Sequence, residues 1–316
     1  MSSGRQLPWR SPTNPAGCCC QRPAAARTDS AGPLPALGPR APHDAIAAAI
    51  KVTSHADFGV ITNTGRLLRA RAIELPTVPV TTTAPNLQGG SAAQELWALE
   101  SGERVVGLTS LDPGGPGLAL GTMRGVVKRV NPEVMGKDSW DVIRLDEGDE
   151  VVSAVELTAP HLAFVTSDAH LLHFSAGLVR PQGRLGGGVA GVKLADGARV
   201  VFFGGVDPGQ DMVVTVAGAS DSLFGSATGG AKVTPLAEYP TKGRATGGVR
   251  CQRFLKGETT LVAAAIGRSV AAVAPDGTPV ALPEPTTKRD GSGVSLGGTV
   301  QALGFRGSHD AREMVL

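Results

Sequence analysis

A strand–turn–strand unit recurs along this chain, and the recurrence limits its fold more than any other feature does. Val60-Ile61-Thr62-Asn63-Thr64-Gly65-Arg66-Leu67-Leu68-Arg69 aligns with Phe164-Val165-Thr166-Ser167-Asp168-Ala169-His170-Leu171-Leu172-His173. Leu120-Gly121-Thr122-Met123-Arg124-Gly125-Val126-Val127-Lys128-Arg129 follows the same pattern, and Val273-Ala274-Pro275-Asp276-Gly277-Thr278-Pro279-Val280 is a weaker copy. Glycine supplies the positive φ that a tight hairpin turn needs. Each hairpin is preceded by an extended segment, such as Arg104–Leu108, Val151–Leu157 or Gly197–Phe203. Strand repeats with a period of about 45 to 60 residues are the signature of propeller blades. A single blade cannot bury its apolar face, so neighbouring blades must stack.

Composition agrees. Only 4% of the 316 residues are aromatic, whereas 43 are glycine and 23 are proline, a mixture that suits many short strands joined by turns. Asp44–Lys51 and Gln94–Leu99 have helical texture but are too short to require helices. The expected fold is all-β, with about five blades at 44–98, 99–149, 150–197, 198–256 and 257–306. The fourth carries an insertion around 217–230. Residues 1–43, rich in proline and alanine and without hydrophobic period, read as disordered, and 307–316 as a tail.

A second repeat lies outside the hairpins. Gly183-Arg184-Leu185-Gly186-Gly187-Gly188-Val189 matches Gly243-Arg244-Ala245-Thr246-Gly247-Gly248-Val249 at an offset of 60 residues. Glycines let backbone N–H groups approach a phosphate, and arginine offers a fork of donors. Gly183, Gly187, Gly188, Gly243, Gly247 and Gly248 are therefore candidate backbone cradles, with Arg184 and Arg244 the leading side chains. A Gly-rich crossing loop with exposed arginines is the plainer alternative. The net charge is only +2, but Arg180 to Lys256 holds ten Lys/Arg against five Asp/Glu. Such a basic stretch can form a phosphate-facing patch. Arg180, Lys242, Arg250 and Arg253 in this stretch, and Lys128, Arg129, Arg124, Arg66 and Arg69 in the hairpin repeats, are further candidate phosphate contacts.

Little points to catalysis or metal binding. Cys18, Cys19 and Cys20 are adjacent and cannot staple loops, no C-x-x-C pair is present, and Cys251 sits in a strand-like run. No metal site is expected, and the cysteine usage fits a reducing cytoplasm. No apolar run approaches the length of a membrane span. The lone tyrosine, Tyr239, lies between Glu238 and Pro240 and reads as a packing residue or phosphate contact. No phosphate-binding G-x-x-x-x-G-K-S/T loop occurs. His170 and His173 read as edge residues on opposite faces of a strand.

The hairpin repeat, best seen in Gly125-Val126-Val127-Lys128-Arg129, resembles that of the C-terminal domain shared by the A subunits of DNA gyrase and topoisomerase IV. Val179-Arg180-Pro181-Gln182-Gly183-Arg184 through Val192, and Tyr239-Pro240-Thr241-Lys242-Gly243-Arg244 through Arg250, resemble that family's blade-linking segment. The resemblance covers roughly 38–300. It implies a β-pinwheel, a propeller-like ring whose blades exchange strands, which binds double-stranded DNA on its rim and bends it without reading sequence. The family has six blades, and here the first is replaced by 1–43. The Gln-Arg-Arg-Gly-Gly-Lys-Gly-type box of gyrase is missing, which favours the topoisomerase IV type.

The resemblance further implies a cytoplasmic, nucleoid-associated protein. The intact enzyme is an isomerase built on an A-subunit dimer and an ATPase B subunit, and it uses ATP and Mg²⁺. The tyrosine-bearing cleavage domain is missing here, so the chain is expected to need no cofactor and to be non-catalytic. A protein-interaction propeller is the alternative, and the scarcity of aromatics argues against it.

Overall fold

The computed structural model describes residues 5–10, 22–23, 45–75, 77–78, 91–219 and 229–305. The fold is nearly all β. Helix is limited, among the described residues, to Ala93–Leu96 and the 3-10 turns Ala72–Glu74, Ala176–Leu178 and Leu236–Glu238. Of the segment expected to be disordered, Arg5–Arg10 and Arg22–Pro23 are strands; the rest of 1–43, the 220–228 part of the insertion and the 307–316 tail lie outside the described residues.

The hairpins form where the repeat places them. Asp57–Thr62 pairs with Arg66–Arg71, Leu118–Thr122 with Val126–Val130, and His161–Thr166 with His170–Ser175, all antiparallel. Their turns are closed by the same bond: the N–H of Gly65, Gly125 and Ala169 donates to the carbonyl of Thr62, Thr122 and Thr166, each at 3.0 Å. The turn residue is left-handed in all three, with φ of 81°, 83° and 61°, so alanine at 169 occupies a conformation that suits glycine better. Met212–Gly218 with Gly230–Pro235, and Val270–Val273 with Pro279–Val280, complete five hairpins among the described residues.

A two-stranded hairpin is marginal alone, and each one here recruits strands from later in the chain. The hairpin at 161–175 is flanked on its inner side by Val200–Val206 and on its outer side by Val249–Arg250. Thr260–Gly267 and Val294–Ser295 flank 212–235 in the same way. Val105–Thr109 and Ser139–Asp141 flank 57–71. Val151–Glu156 and Val189–Ala190 flank 118–130. Ala302–Phe305 pairs with Val270–Val273. Each sheet is thus assembled from separated stretches of chain.

The segment with helical texture near residue 46 is in fact a strand. Ile46–Val52 pairs with Arg5–Arg10 and lies beside Val105–Thr109 and Ala302–Phe305, where Phe305 pairs with Ile46. Six inner strands, 46–52, 105–109, 151–156, 200–206, 260–267 and 302–305, each contact the next in turn and close a ring. They surround a central cavity of about 500 Å³ whose walls include Val105, Val152, Val201, Val262 and Leu303.

Between the sheets lie separate apolar clusters. One packs Phe164, Phe174 and Phe203 of one sheet against Ala119 and Val127 of the preceding sheet, with the Phe164 and Phe203 rings 4.8 Å apart. Gly121 permits that approach, since a Cβ there would lie 2.2 Å from the Phe203 ring. Phe58 meets Trp97 edge-on in another cluster. The outer strands and the loops leading into them form the rim.

Candidate nucleic-acid interface

The first Gly-Arg loop is held from beneath by Lys128. Its side chain is 1% exposed, and Nζ donates to the carbonyls of Val142 (2.7 Å), Arg184 (2.8 Å) and Gly186 (2.7 Å). Burial pulls its pKa down to about 8. The expectation that Lys128 meets phosphate is therefore corrected: its ammonium is spent on backbone carbonyls and shielded from solvent. Gln182 closes the other side of the loop. Its Oε1 accepts from the Gly188 N–H (2.9 Å) and its Nε2 donates to the Gly188 carbonyl (3.3 Å).

Three more expected rim cations are engaged elsewhere. Arg66 forms an ion pair with the buried Glu103, which also accepts from Thr62 and Thr64. Burial opposes ionisation of Glu103, but the bonds from Arg66, the Glu100 N–H and the two threonines outweigh it and hold the carboxyl at about 2. Arg69 pairs with Asp57 (2.9 Å), donates to the carbonyls of Lys137 (3.2 Å) and Met135, and lies over the Trp140 ring. Arg129 donates to the carbonyls of Ala176 (3.3 Å) and Val179 (3.0 Å), holding the 3-10 turn. These arginines build the fold, each half-buried and bonded to groups of its own or a neighbouring sheet.

The remaining candidates do reach the surface. Arg180, Lys242, Arg250, Arg253 and Arg124 are exposed, and Arg184 and Arg244 partly so. Arg250 lies on the outer strand of its sheet, and Arg124 on a hairpin turn whose N–H donates to Asp149. Lys242 reaches the Gly248 carbonyl at 3.1 Å. Arg244 donates from Nη1 to the carbonyl of Ala190 (3.0 Å), on the outer strand of the preceding sheet. The second loop therefore rests on the edge of the sheet that carries the first. From Val179 to Lys193 there are three basic residues, from Tyr239 to Lys256 five, and neither stretch has a carboxylate.

The cradle glycines divide into two kinds. Gly188 and Gly248 are left-handed, with φ of 87° and 71°, and a Cβ would lie 2.8 Å from the Val127 carbonyl oxygen or 2.3 Å from that of Leu171. Around Gly183 and Gly243 nothing lies within 4 Å of a Cβ, and at Gly247 the nearest atom is 3.8 Å away. Gly187 would meet the Arg144 carbonyl at 3.4 Å, an ordinary contact. The N–H of Gly188 is already bonded to Gln182, so it is no phosphate donor.

Adjacent sheets are joined along the rim by one recurring bond that the sequence did not reveal. The Arg144 N–H donates to the Gly186 carbonyl (3.3 Å), Lys193 to Thr246 (3.0 Å), and Arg253 to Gly291 (3.0 Å). The third acceptor lies in Lys288-Arg289-Asp290-Gly291-Ser292-Gly293-Val294, whose backbone enters its outer strand as the first two loops do. Too few of its residues match for spacing alone to find it.

The other singled-out residues are interior. Tyr239 is 3% exposed, within reach of Lys232 and the Cys251 carbonyl, and burial pushes its pKa well up. Cys251 is fully buried and its thiol is pushed up to about 12. His173, expected at an edge, is 1% exposed instead: Nε2 meets the Tyr239 carbonyl (2.9 Å) and Nδ1 meets Nδ1 of His161 (3.1 Å). Among the described residues no group of three or more His, Cys, Asp or Glu side chains could hold a metal ion, and no helix is long and apolar enough to cross a membrane.

The chain resembles known proteins in sequence and in fold. Residues 160–206 and 223–266 match the family described as DNA gyrase C-terminal domain, beta-propeller. The chain is 29% identical over 213 residues to the DNA gyrase A subunit of Mycolicibacterium smegmatis, covering 65% of this chain and 23% of that protein. It is 39% identical over 110 residues to topoisomerase subunit TopoM of the same organism, covering 34% of this chain and 14% of that one. It thus spans less than a quarter of either relative. Among solved structures, the C-terminal domain of DNA topoisomerase IV superposes with a TM-score of 0.70 at 17% identity, covering 96% of this chain and 93% of that one. The DNA gyrase A C-terminal domain superposes with a TM-score of 0.59, also at 17% identity, covering 96% and 99%.

Proposed function

We propose, from the premise that this chain is a β-pinwheel related to the C-terminal domain of the type II topoisomerase A subunit, that it binds double-stranded DNA along its rim and bends it. The observation that carries this reading is the joined pair of loops at 179–193 and 239–256, eight basic residues without a carboxylate. Arg184, Arg244, Arg180, Lys242, Arg250 and Arg253 would neutralise phosphates and read no bases, so affinity would be sequence-independent and steeply salt-dependent. Bending a site of 20–30 base pairs costs on the order of 1–6 kcal/mol, which several phosphate contacts must offset.

The chain would act beside a catalytic domain, in a cytoplasmic enzyme whose A-subunit dimer works with an ATPase B subunit. The described residues offer no cluster suited to Mg²⁺, and no step assigned to this chain uses ATP or the metal. Arg184 and Arg244 are the residues to test. Titration of unrelated fluorescent duplexes across several salt concentrations should show the Arg184→Ala, Arg244→Ala double variant binding all of them more weakly. Each loss should reduce the slope of log K against log salt by about one. Unchanged affinity and slope in a folded double variant would overturn the reading.

A further inference from the structure

Resting on that reading, we infer that the phosphate-binding unit is the seam between adjacent blades rather than the single loop. At each seam a backbone bond brings a basic residue that follows one outer strand against the loop of the next sheet. The three pairs are Arg144 with Gly186, Lys193 with Thr246, and Arg253 with Gly291. In every case the residue two before the accepting carbonyl is an arginine: Arg184, Arg244 and Arg289. Each seam therefore joins two cations from different blades, Arg144 and Arg184, Lys193 and Arg244, Arg253 and Arg289. Arg144, Lys193, Arg253 and Arg289 are exposed, and Arg184 and Arg244 are partly so.

Chemistry favours a phosphodiester as the ligand. Two like charges held together by a backbone bond repel each other, and an anion between them relieves that repulsion. A phosphate offers acceptors to both members, and unlike a carboxylate it recurs at regular intervals along a duplex. Repeating the seam around a curved rim would place successive sites along a bending duplex. The surroundings rank the seams. Between Glu133 and Glu150 seven carboxylates accompany two basic residues, Lys137 and Arg144, so the Arg144–Arg184 seam borders an acidic face. Asp290 lies inside the Arg253–Arg289 seam. The middle seam, Lys193 with Arg244, has Asp196 as the one carboxylate within five residues of either cation, and should contribute most.

The test uses the full chain and linear duplexes of unrelated sequence, titrated over a range of salt. Arg144→Ala, Lys193→Ala, Arg253→Ala and Arg289→Ala should each lower the salt slope by about one, with Lys193→Ala weakening binding most. Arg268→Ala, an exposed arginine away from any seam, should change neither affinity nor slope. Circular dichroism checks that each variant folds. Retained slopes in Lys193→Ala and Arg253→Ala, with a loss in Arg184→Ala and Arg244→Ala, would overturn the seam assignment and leave DNA binding by the loops intact. A loss in Arg268→Ala equal to that in Lys193→Ala would also overturn it. A wild-type chain that binds no duplex at low salt would overturn both readings.

Discussion

Lys128 and Lys232 occupy the same register position in sheets two apart: Lys128 faces Leu120 across its hairpin and Lys232 faces Thr215. Both are buried, and both donate to carbonyls of the loop that enters their sheet's outer strand, Lys128 to Arg184 and Gly186, Lys232 to Arg289. Lys232 also reaches the Cys251 carbonyl at 2.9 Å and Thr234 Oγ1 at 2.6 Å, and burial brings its pKa down to about 8. In the sheet between them Leu172 holds the equivalent place, opposite Phe164. There the second loop is instead docked on its neighbour through Arg244 and through the Ala245 N–H, which donates to the Gly191 carbonyl.

This arrangement separates stability from binding at Lys128. Lys128→Met should leave the Val142 and Arg184 carbonyls without this donor, while Gly186 keeps the Arg144 N–H, and cost about 3 kcal/mol, since each unsatisfied buried group costs roughly 1–3 kcal/mol. Urea unfolding would measure the loss. Under conditions where the variant is folded, its salt slope for DNA should equal that of wild type, because Lys128 does not reach solvent.

The two glycine kinds should behave differently on substitution. Gly188→Ala and Gly248→Ala force a Cβ against backbone at a left-handed φ, and should each destabilise the fold by more than about 1 kcal/mol. Gly247→Ala meets no atom closer than 3.8 Å and should be tolerated. Thermal melts of the three variants would show whether the two classes separate.

Acid should weaken the Asp57–Arg71 hairpin region through Glu103. Its folded-state pKa of about 2 lies below the ordinary value of 4.5, so its stabilisation is present above pH 4.5 and fades as pH falls toward 2. A shift of that size corresponds to about 3 kcal/mol. Glu103→Gln should lower stability at neutral pH and flatten the fall between those two values, as followed by denaturant midpoints from pH 7 down to 3.

Tyr239 should have no part in strand cleavage. Its hydroxyl is enclosed with Lys232 and the Cys251 carbonyl, and burial disfavours its ionised form. The chain should neither relax nor nick supercoiled plasmid with Mg²⁺ and ATP, and Tyr239→Phe should change only stability, by about 1 kcal/mol. Metal-dependent nicking that disappears in Tyr239→Phe would contradict this.

Local pattern was enough to identify the hairpins, their turns and the all-β class. Strand alternation and the glycine or glycine-like turn residues 65, 125 and 169 act within ten residues, and a short-range rule can read them. The Gly-Arg loops were legible for the same reason, as was the basic bias of 180–256. What each cation does could not be read this way, because burial and pairing depend on residues far away in sequence. Lys128 and Arg184 lie 56 residues apart, and Arg66 and Glu103 37 apart. Nothing in the run Val126-Val127-Lys128-Arg129 says that one cation faces a buried carbonyl cluster while the next holds a 3-10 turn. Ile46–Val52 reads locally as helical, and only strands far away in sequence, Arg5–Arg10 and Ala302–Phe305 among them, make it extended. The order of residues set the repeating unit and therefore the class of fold. Which strands each hairpin recruits, and which cations remain for a partner, was settled in three dimensions, because both depend on how separated segments meet when the ring closes.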